Sequence, residues 1–242
     1  MAGPACPDWI RERRAGILGY RAIAGLDEAG RGALAGPVVA AAVVLDPERC
    51  PPGIRDSKTL SPKRREALYG AILSCARAWG VGVVEAAEID RTDIVRATRG
   101  AMLRALEVLP VRPDFLIVDA LALPEAGLPF EAPFKADRDV MSVAAASVVA
   151  KVHRDRLLVD LDRRHPGYGF ASHKGYGTSA HFAAIRAQGP SPEHRRTFAG
   201  IGMGLLRGGE EDERRSRTGA PTKETTQIAA QQVNSVRTVQ GR

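Results

Sequence analysis

Three carboxylates stand at the ends of apolar runs, where burial is costly unless something neutralises them. Asp27 and Glu28 close the stretch Tyr20–Leu26, and Asp119 closes Phe115-Leu-Ile-Val. Both runs read as short buried strands. Adjacent strand residues point to opposite faces, so Asp27 and Glu28 can address two metal ions, or one ion and a structural contact. Gly30 and Gly32 flank Arg31 just beyond, and glycine lets the backbone come very close to a ligand. A strand, an acidic pair and a bare turn suggest metal-dependent phosphodiester chemistry. The same residues also fit a plain hairpin, and Asp119 alone also fits a helix or turn cap. Two further stretches have the composition of substrate loops. Asp56-Ser57-Lys58 offers hydroxyl and ammonium groups to phosphates. His165 to Thr178, with Tyr168, Lys174 and Tyr176, interleaves glycine, aromatics and bases, which suits stacking on a sugar or base. A solvated loop and a loop around a packed tyrosine are the structural alternatives.

These residues need a framework. Val38–Leu45 is an apolar run that can pair with the first strand. Ser61 followed by Pro62 marks a helix start, with the helix reaching about Ala78. Trp79–Glu85 alternates as a strand, and a helix spans about Ile94 to Leu109, its Arg96, Arg99 and Arg104 forming a wet face. Leu121–Pro133 reads as irregular. The small residues from Met141 to Val152 predict a helix packed tightly on the sheet, with Lys151 to Arg156 extending it outward. A further helix is expected from Ser179 to Gln188. This is an α/β pattern.

At 242 residues and 44% hydrophobic content, the chain can build one sizeable core. The expected organisation is a flexible N-terminal segment over 1–17, a catalytic domain over 18–207 and a disordered tail over 208–242, whose composition is too polar to offset its ordering entropy. No apolar run approaches a membrane span, and the N-terminus lacks the apolar core of a signal peptide. Cys6, Cys50 and Cys75 are too scattered for a disulfide framework or zinc site. The cytoplasm is the expected compartment. A formal charge of +7 favours an anionic partner such as nucleic acid.

Asp27-Glu-Ala-Gly-Arg-Gly32, continuing into Leu34-Ala-Gly-Pro-Val-Val39, closely resembles the signature of bacterial ribonuclease HII, the type 2 ribonuclease H family. Ser142-x-Ala-Ala-Ala-Ser-x-x-Ala-Lys-Val-x-Arg-Asp155 and Lys174-Gly-Tyr-Gly-Thr178 are further matches. Ser191-Pro-Glu-His-Arg-Arg-Thr-Phe198 resembles the family's closing segment, a basic turn and short helix. Ala33 departs from the family's usual proline. The resemblance implies a ribonuclease H-like fold: a five-stranded mixed sheet flanked by helices, with a helical C-terminal part. It also adds Asp137, two residues after Lys135, as the fourth acid. Asp27, Glu28, Asp119 and Asp137 would then hold two Mg²⁺ or Mn²⁺ ions. Gly30, Arg31, Gly32, Ser57, Lys58 and Lys174 would face the substrate, and Tyr176 would stack on the deoxyribose beside a ribonucleotide. The implied substrates are RNA–DNA hybrids and DNA containing ribonucleotides, cut by a monomer on the 5′ side of the ribonucleotide to leave 3′-hydroxyl and 5′-phosphate ends. Ribonucleotide removal from DNA would be its role. Another two-metal nuclease of this fold, type 3 ribonuclease H and a non-catalytic nucleic-acid-binding module are the alternatives. The first would not need the glycine turn or Tyr176. The second usually carries an N-terminal substrate-binding domain where this chain has about twenty residues, and the third would not need four acids.

Overall fold

The strand carrying Asp27 and Glu28 becomes the centre of the sheet. The computed structural model describes residues 6–201. Its strands are β1 (Ile23–Ala29), β2 (Val38–Val44), β3 (Ala78–Val84), β4 (Phe115–Val118) and β5 (Phe130–Glu131), in the order β3-β2-β1-β4-β5. β2 pairs antiparallel with β1 and with β3, while β4 runs parallel to β1 and to β5. The helices are α1 (Ile10–Ile17), α2 (Pro62–Cys75), α3 (Ala86–Arg91), α4 (Ile94–Glu107), α5 (Ala136–Asp139), α6 (Met141–Arg164), α7 (Phe170–His173) and α8 (Ser179–Gln188).

Every β2 residue is buried, and the pleat sorts them between two cores. Val38, Ala40, Ala42 and Val44 join Ala101, Met102 and Ala105 of α4. Ala41 and Val43 join Leu68 and Ile72 of α2 and the Ala144–Ala146 run of α6. Helices therefore cover both faces of the sheet. Gly25 explains how closely α6 sits on β1: a Cβ there would stand 2.2 Å from the Ser142 carbonyl carbon. The small residues of α6 serve the same close approach, since Ser142 to Ala150 are all buried.

The helix starts follow local chemistry. The Ser61 hydroxyl accepts from Arg64 N–H at 3.3 Å, with Pro62 opening α2. Asp93 caps α4 through Val95 and Arg96 N–H groups. Arg99 and Arg104 of α4 pair with Glu125 and Glu88, the role of a wet face.

Several expectations change. Within the N-terminal segment expected to be flexible, residues 10–17 form α1, which docks on the start of α6. The reason is an unfilled donor. Ser142 N–H, in the first turn of α6, has no acceptor within its own helix, and the buried Glu12 supplies one at 2.8 Å. Asp8 also forms a bridge with Val140. β1 runs to Ala29 rather than stopping at Leu26, because β2 offers ladder partners to Asp27 and Glu28 in Ala41 and Ala40. The region read as irregular contains β5, and α6 extends to Arg164. Residues 191–198 form turns and bridges in place of a short helix. The expected boundary at 207 and the tail over 208–242 lie outside the described residues.

Candidate active site

Register alone brings two of the acids together. Leu26 of β1 pairs with Val118 of the parallel β4, so Asp27 and Asp119 leave adjacent strands side by side, about 4.8 Å apart along the sheet. Asp119 N–H donates to Leu26 O at 3.1 Å and extends that ladder by one rung. Asp119 Oδ1 then accepts from Ala136 N–H at 2.6 Å, which anchors the start of α5 and delivers Asp137 to the same place. Glu28 follows Asp27 on β1. The four acids thus meet at one end of the sheet.

Their electrostatics record the crowding. Asp27 is only 4% exposed. Burial, then Glu28, raises its pKa well above the ordinary carboxyl range, with Asp119 and Asp137 adding to the effect and a hydrogen bond from Ser147 opposing it. Glu28 is also raised by burial, against the pull of Arg31, whose guanidinium stands 3.7 Å away. Asp119 is raised by burial and by Asp137. Lys58 reaches in from the loop before α2, its Nζ 3.1 Å from Asp137 Oδ2. Burial opposes the Lys58 charge, but the hydrogen bond and attraction to Asp137 win and raise its pKa.

Two nearby cations thus face four acids, and the donor set is all oxygen, as hard divalent cations prefer. Glu28 Oε2 is buried with no hydrogen-bond partner, an orphaned acceptor that a cation would satisfy. Among the described residues, no three acidic, histidine or cysteine side chains close tightly enough around one point to hold an ion. The carboxylates are instead drawn to the nearest donors: Asp27 to Glu28 N–H, Asp119 to Ala136 N–H and Asp137 to Lys58. In donor chemistry and charge the residues fit a divalent-metal site.

The glycine turn lies next to the acids, and two buried arginines build it. Arg154 of α6 donates to the Pro37, Lys174 and Ala35 carbonyls at 2.9, 2.9 and 3.1 Å. Arg195 donates to Gly36 and Arg31 carbonyls. Both are fully buried, and no hydrogen bond or ion pair described for either side chain involves a carboxylate. Gly30 has φ +91°, and a Cβ there would meet Arg154 Nε at 1.9 Å, whereas Gly32 has open space around it. Tyr176 remains 39% exposed. Arg154 Cζ and Lys151 Nζ lie 5.6 and 5.9 Å from its ring centroid, within cation–π range.

The profile of the ribonuclease HII family matches residues 24–200. Ribonuclease HII of Geobacillus kaustophilus is 55% identical over 190 residues, covering 78% of this chain and 73% of that protein. The chain belongs to the ribonuclease HII family. It is a ribonuclease H, a phosphodiester hydrolase. Among solved structures, ribonuclease H2 of Pyrococcus horikoshii matches with a TM-score of 0.65 and 28% identity, over 82% of this chain and 100% of that one. Bst-RNase HIII, solved in complex with Mn²⁺, matches at 0.60 with 23% identity, over 80% of this chain and 71% of that one. That second likeness shows the ribonuclease H-like fold alone.

Not every residue expected to face substrate does so in this member of the ribonuclease HII family. Ser57 is buried, and its hydroxyl lies 3.0 Å from Ser147 Oγ. It braces the hydroxyl beneath Asp27 and is not open to a phosphate. Lys174 turns its ammonium back to the Ala171 carbonyl of α7, the helix it follows. Asp155, which ends the matched motif on α6, forms structural pairs with Lys151 at 2.7 Å and Arg65 at 3.7 Å. Tyr168, the other candidate aromatic, is buried and donates to Gly189 O at 2.7 Å. The site also uses Ser147, Arg154 and Arg195, which are not among the residues expected to form it. Arg154 lies just beyond the small-residue run of α6, and the outward extension expected for Lys151 to Arg156 does not hold for it, since it is fully buried.

Proposed function

We propose that this ribonuclease HII hydrolyses the RNA strand of RNA–DNA hybrids and cuts on the 5′ side of ribonucleotides embedded in duplex DNA, leaving 3′-hydroxyl and 5′-phosphate ends. The observation that carries the reading is the meeting of four acids beside an open glycine turn and a half-exposed tyrosine. Asp27, Glu28, Asp119 and Asp137 would hold two Mg²⁺ or Mn²⁺ ions. Such ions supply Lewis acidity at the phosphate and lower the pKa of water at a two-metal site. The chain's own residues do the rest. Ser147 holds Asp27 from below, and Ala136 N–H fixes the rotation of Asp119. Lys58, tied to Asp137, places an ammonium where a phosphate would enter. Gly32, with nothing near it, admits the 2′-hydroxyl of the cleaved nucleotide to the backbone of the turn. That hydroxyl is the group by which RNA is told from DNA. Tyr176 stacks on the next sugar when it lacks a 2′-hydroxyl, so the pair reads an RNA-to-DNA junction by shape.

The test is cleavage of a duplex carrying one ribonucleotide, with and without Mg²⁺, beside an all-DNA duplex. Cut only with the cation, only at the ribonucleotide, and with a 3′-hydroxyl product, the duplex behaves as proposed. Cleavage of the all-DNA duplex at a comparable rate refutes the reading.

A further inference from the structure

Beyond the bracing of the glycine turn by Arg195, the segment Ser191–Arg195 has no assigned part in the site, yet it touches both loops proposed to face the substrate. Its backbone joins the glycine turn: Gly36 N–H donates to Glu193 O at 2.8 Å, and Arg195 N–H donates to Leu34 O at 2.9 Å. The Arg195 guanidinium adds the Arg31 carbonyl at 3.0 Å. His194 points the other way, toward the Tyr176 loop, through His181.

The direction of that link follows from groups whose role is fixed. Ser191 N–H lies 2.9 Å from His194 Nδ1. A backbone amide can only donate, so Nδ1 accepts and the His194 proton sits on Nε2. His194 Nε2 is 3.0 Å from His181 Nε2, which must therefore accept. The His181 proton then sits on Nδ1, 3.0 Å from the Tyr176 carbonyl, and donates to it. His173 is set by the same logic. Gly175 N–H donates to its Nδ1 at 3.2 Å, leaving Nε2–H for the Tyr168 carbonyl at 2.8 Å. With Nδ1 bare, the Ser191 hydroxyl, 2.8 Å from it, can donate to it as well; a second proton on His194 would face the Ser191 amide, and one on His181 would face His194 Nε2–H. The relay works only with neutral rings. Its surroundings favour them: His181 and His194 are buried against Phe170, and burial is the main cause lowering both pKa values.

We propose that His194 and His181 are positioning residues: a one-way hydrogen-bond relay from Ser191 fixes the Tyr176 backbone, while the adjoining Arg195 fixes the Arg31 turn. One segment thereby sets the spacing of the two loops that read the junction. The inference rests on the stacking role given to Tyr176. The relay touches none of the four acids, so its loss changes which substrates are cut rather than whether the acids work. A cluster that merely filled the core would be served as well by phenylalanine at position 181, which keeps the ring volume against Phe170.

The experiment uses the full chain and the ratio of kcat/KM on a single-ribonucleotide duplex to that on a continuous RNA–DNA hybrid. His181→Phe is expected to lower the ratio roughly tenfold, the worth of one positioned hydrogen bond. His181→Asn, whose amide N–H can reach the same carbonyl, should restore it to within about threefold. In the nitrogen-labelled wild-type protein at neutral pH, the ring resonances should show His181 protonated on Nδ1 and His194 on Nε2. A wild-type ratio in His181→Phe, while Tyr176→Ala loses it, overturns the relay and leaves the stacking reading standing. A wild-type ratio in Tyr176→Ala overturns both. Should His181→Phe fail to fold, the tautomers decide: His181 protonated on Nε2, or on both nitrogens, refutes the relay.

Discussion

Gly30 and Gly32 stand two residues apart in one motif, and the structure gives them opposite sensitivities. Alanine at position 30 takes on two costs. At φ +91° an L side chain is strained by about 1–2 kcal/mol. Its Cβ would also overlap Arg154 Nε, 1.9 Å away, and that nitrogen is already committed to Pro37 O. The side chain cannot swing clear without dropping at least that bond, and bonds from a charged donor are worth about 1.5–3 kcal/mol each. Gly30→Ala should therefore lose roughly 2.5–5 kcal/mol, a large part of a margin that is typically about 5–15 kcal/mol. Gly32→Ala meets nothing within 4 Å and needs no unusual φ, so its stability should stay within about 0.5 kcal/mol of wild type. Its cleavage rate should nevertheless fall, because the free space beside Gly32 is where the 2′-hydroxyl would approach. Urea denaturation of the three proteins, with initial rates on the single-ribonucleotide duplex, reads both quantities. Equal stability of Gly30→Ala and Gly32→Ala would refute the argument. So would an unimpaired Gly32→Ala enzyme.

Asp27→Asn should abolish cleavage and also raise the melting temperature in the absence of divalent cations, since it removes a buried charge that Glu28 and Asp119 repel. A lower melting temperature in a calorimetric scan would show that the Asp27 charge stabilises the metal-free fold. Mn²⁺ should raise the wild-type melting temperature by linkage and raise that of Asp27→Asn less; equal shifts would place the binding elsewhere. His194 gives a pH dependence whose sign is fixed. Its pKa falls from 6.5 to about 4 on folding, so the unfolded chain binds more protons between those values. The contribution of His194 is complete above pH 6.5 and is lost as pH falls through that window, up to about 3 kcal/mol. The difference in urea midpoint between wild type and His194→Gln should shrink from neutral to acid pH, and a difference that stays constant would contradict the shift.

The strand ends, the capped α2 and α4 and the small-residue face of α6 were legible because each is a local pattern: an apolar run, a Ser-Pro start, a stretch that tolerates close packing. What escaped depends on partners distant in sequence. α1 is held by a carboxylate, Glu12, that fills a helix donor 130 residues away, and nothing in its own composition announces that. Arg154 reads as a surface residue in any hydrophobicity pattern, since such patterns cannot register a guanidinium whose N–H groups are met by buried carbonyl oxygens. Ser57 looked available because hydroxyls in polar loops usually are. Its partner, Ser147, lies on a helix that the sequence does not place above it. His173, His181 and His194 are unremarkable singly and acquire a role only when the fold stacks them.

The backbone supports the placement of the site independently of its charges. Three non-glycine residues among those described have positive φ: Ala120 at 49°, Lys135 at 62° and Lys174 at 54°. Ala120 follows Asp119, Lys135 lies two residues before Asp137, and Lys174 lies two before Tyr176. Each such residue costs roughly 1–3 kcal/mol and persists only where surrounding contacts over-determine it. Those contacts are present. Ala120 N–H is held by Pro133 O, Lys135 O accepts from Arg138 N–H, and Lys174 O is gripped by Arg154. A chain selected for stability alone would relax these turns with glycine or straighten them. Here they adjoin two of the acids and Tyr176 in the chain, and the buried arginine that holds Lys174 O also donates to the Ala35 and Pro37 carbonyls beside the glycine turn. Strained turns, crowded carboxylates and an open glycine therefore belong to the same segments that are proposed above to hold the phosphodiester.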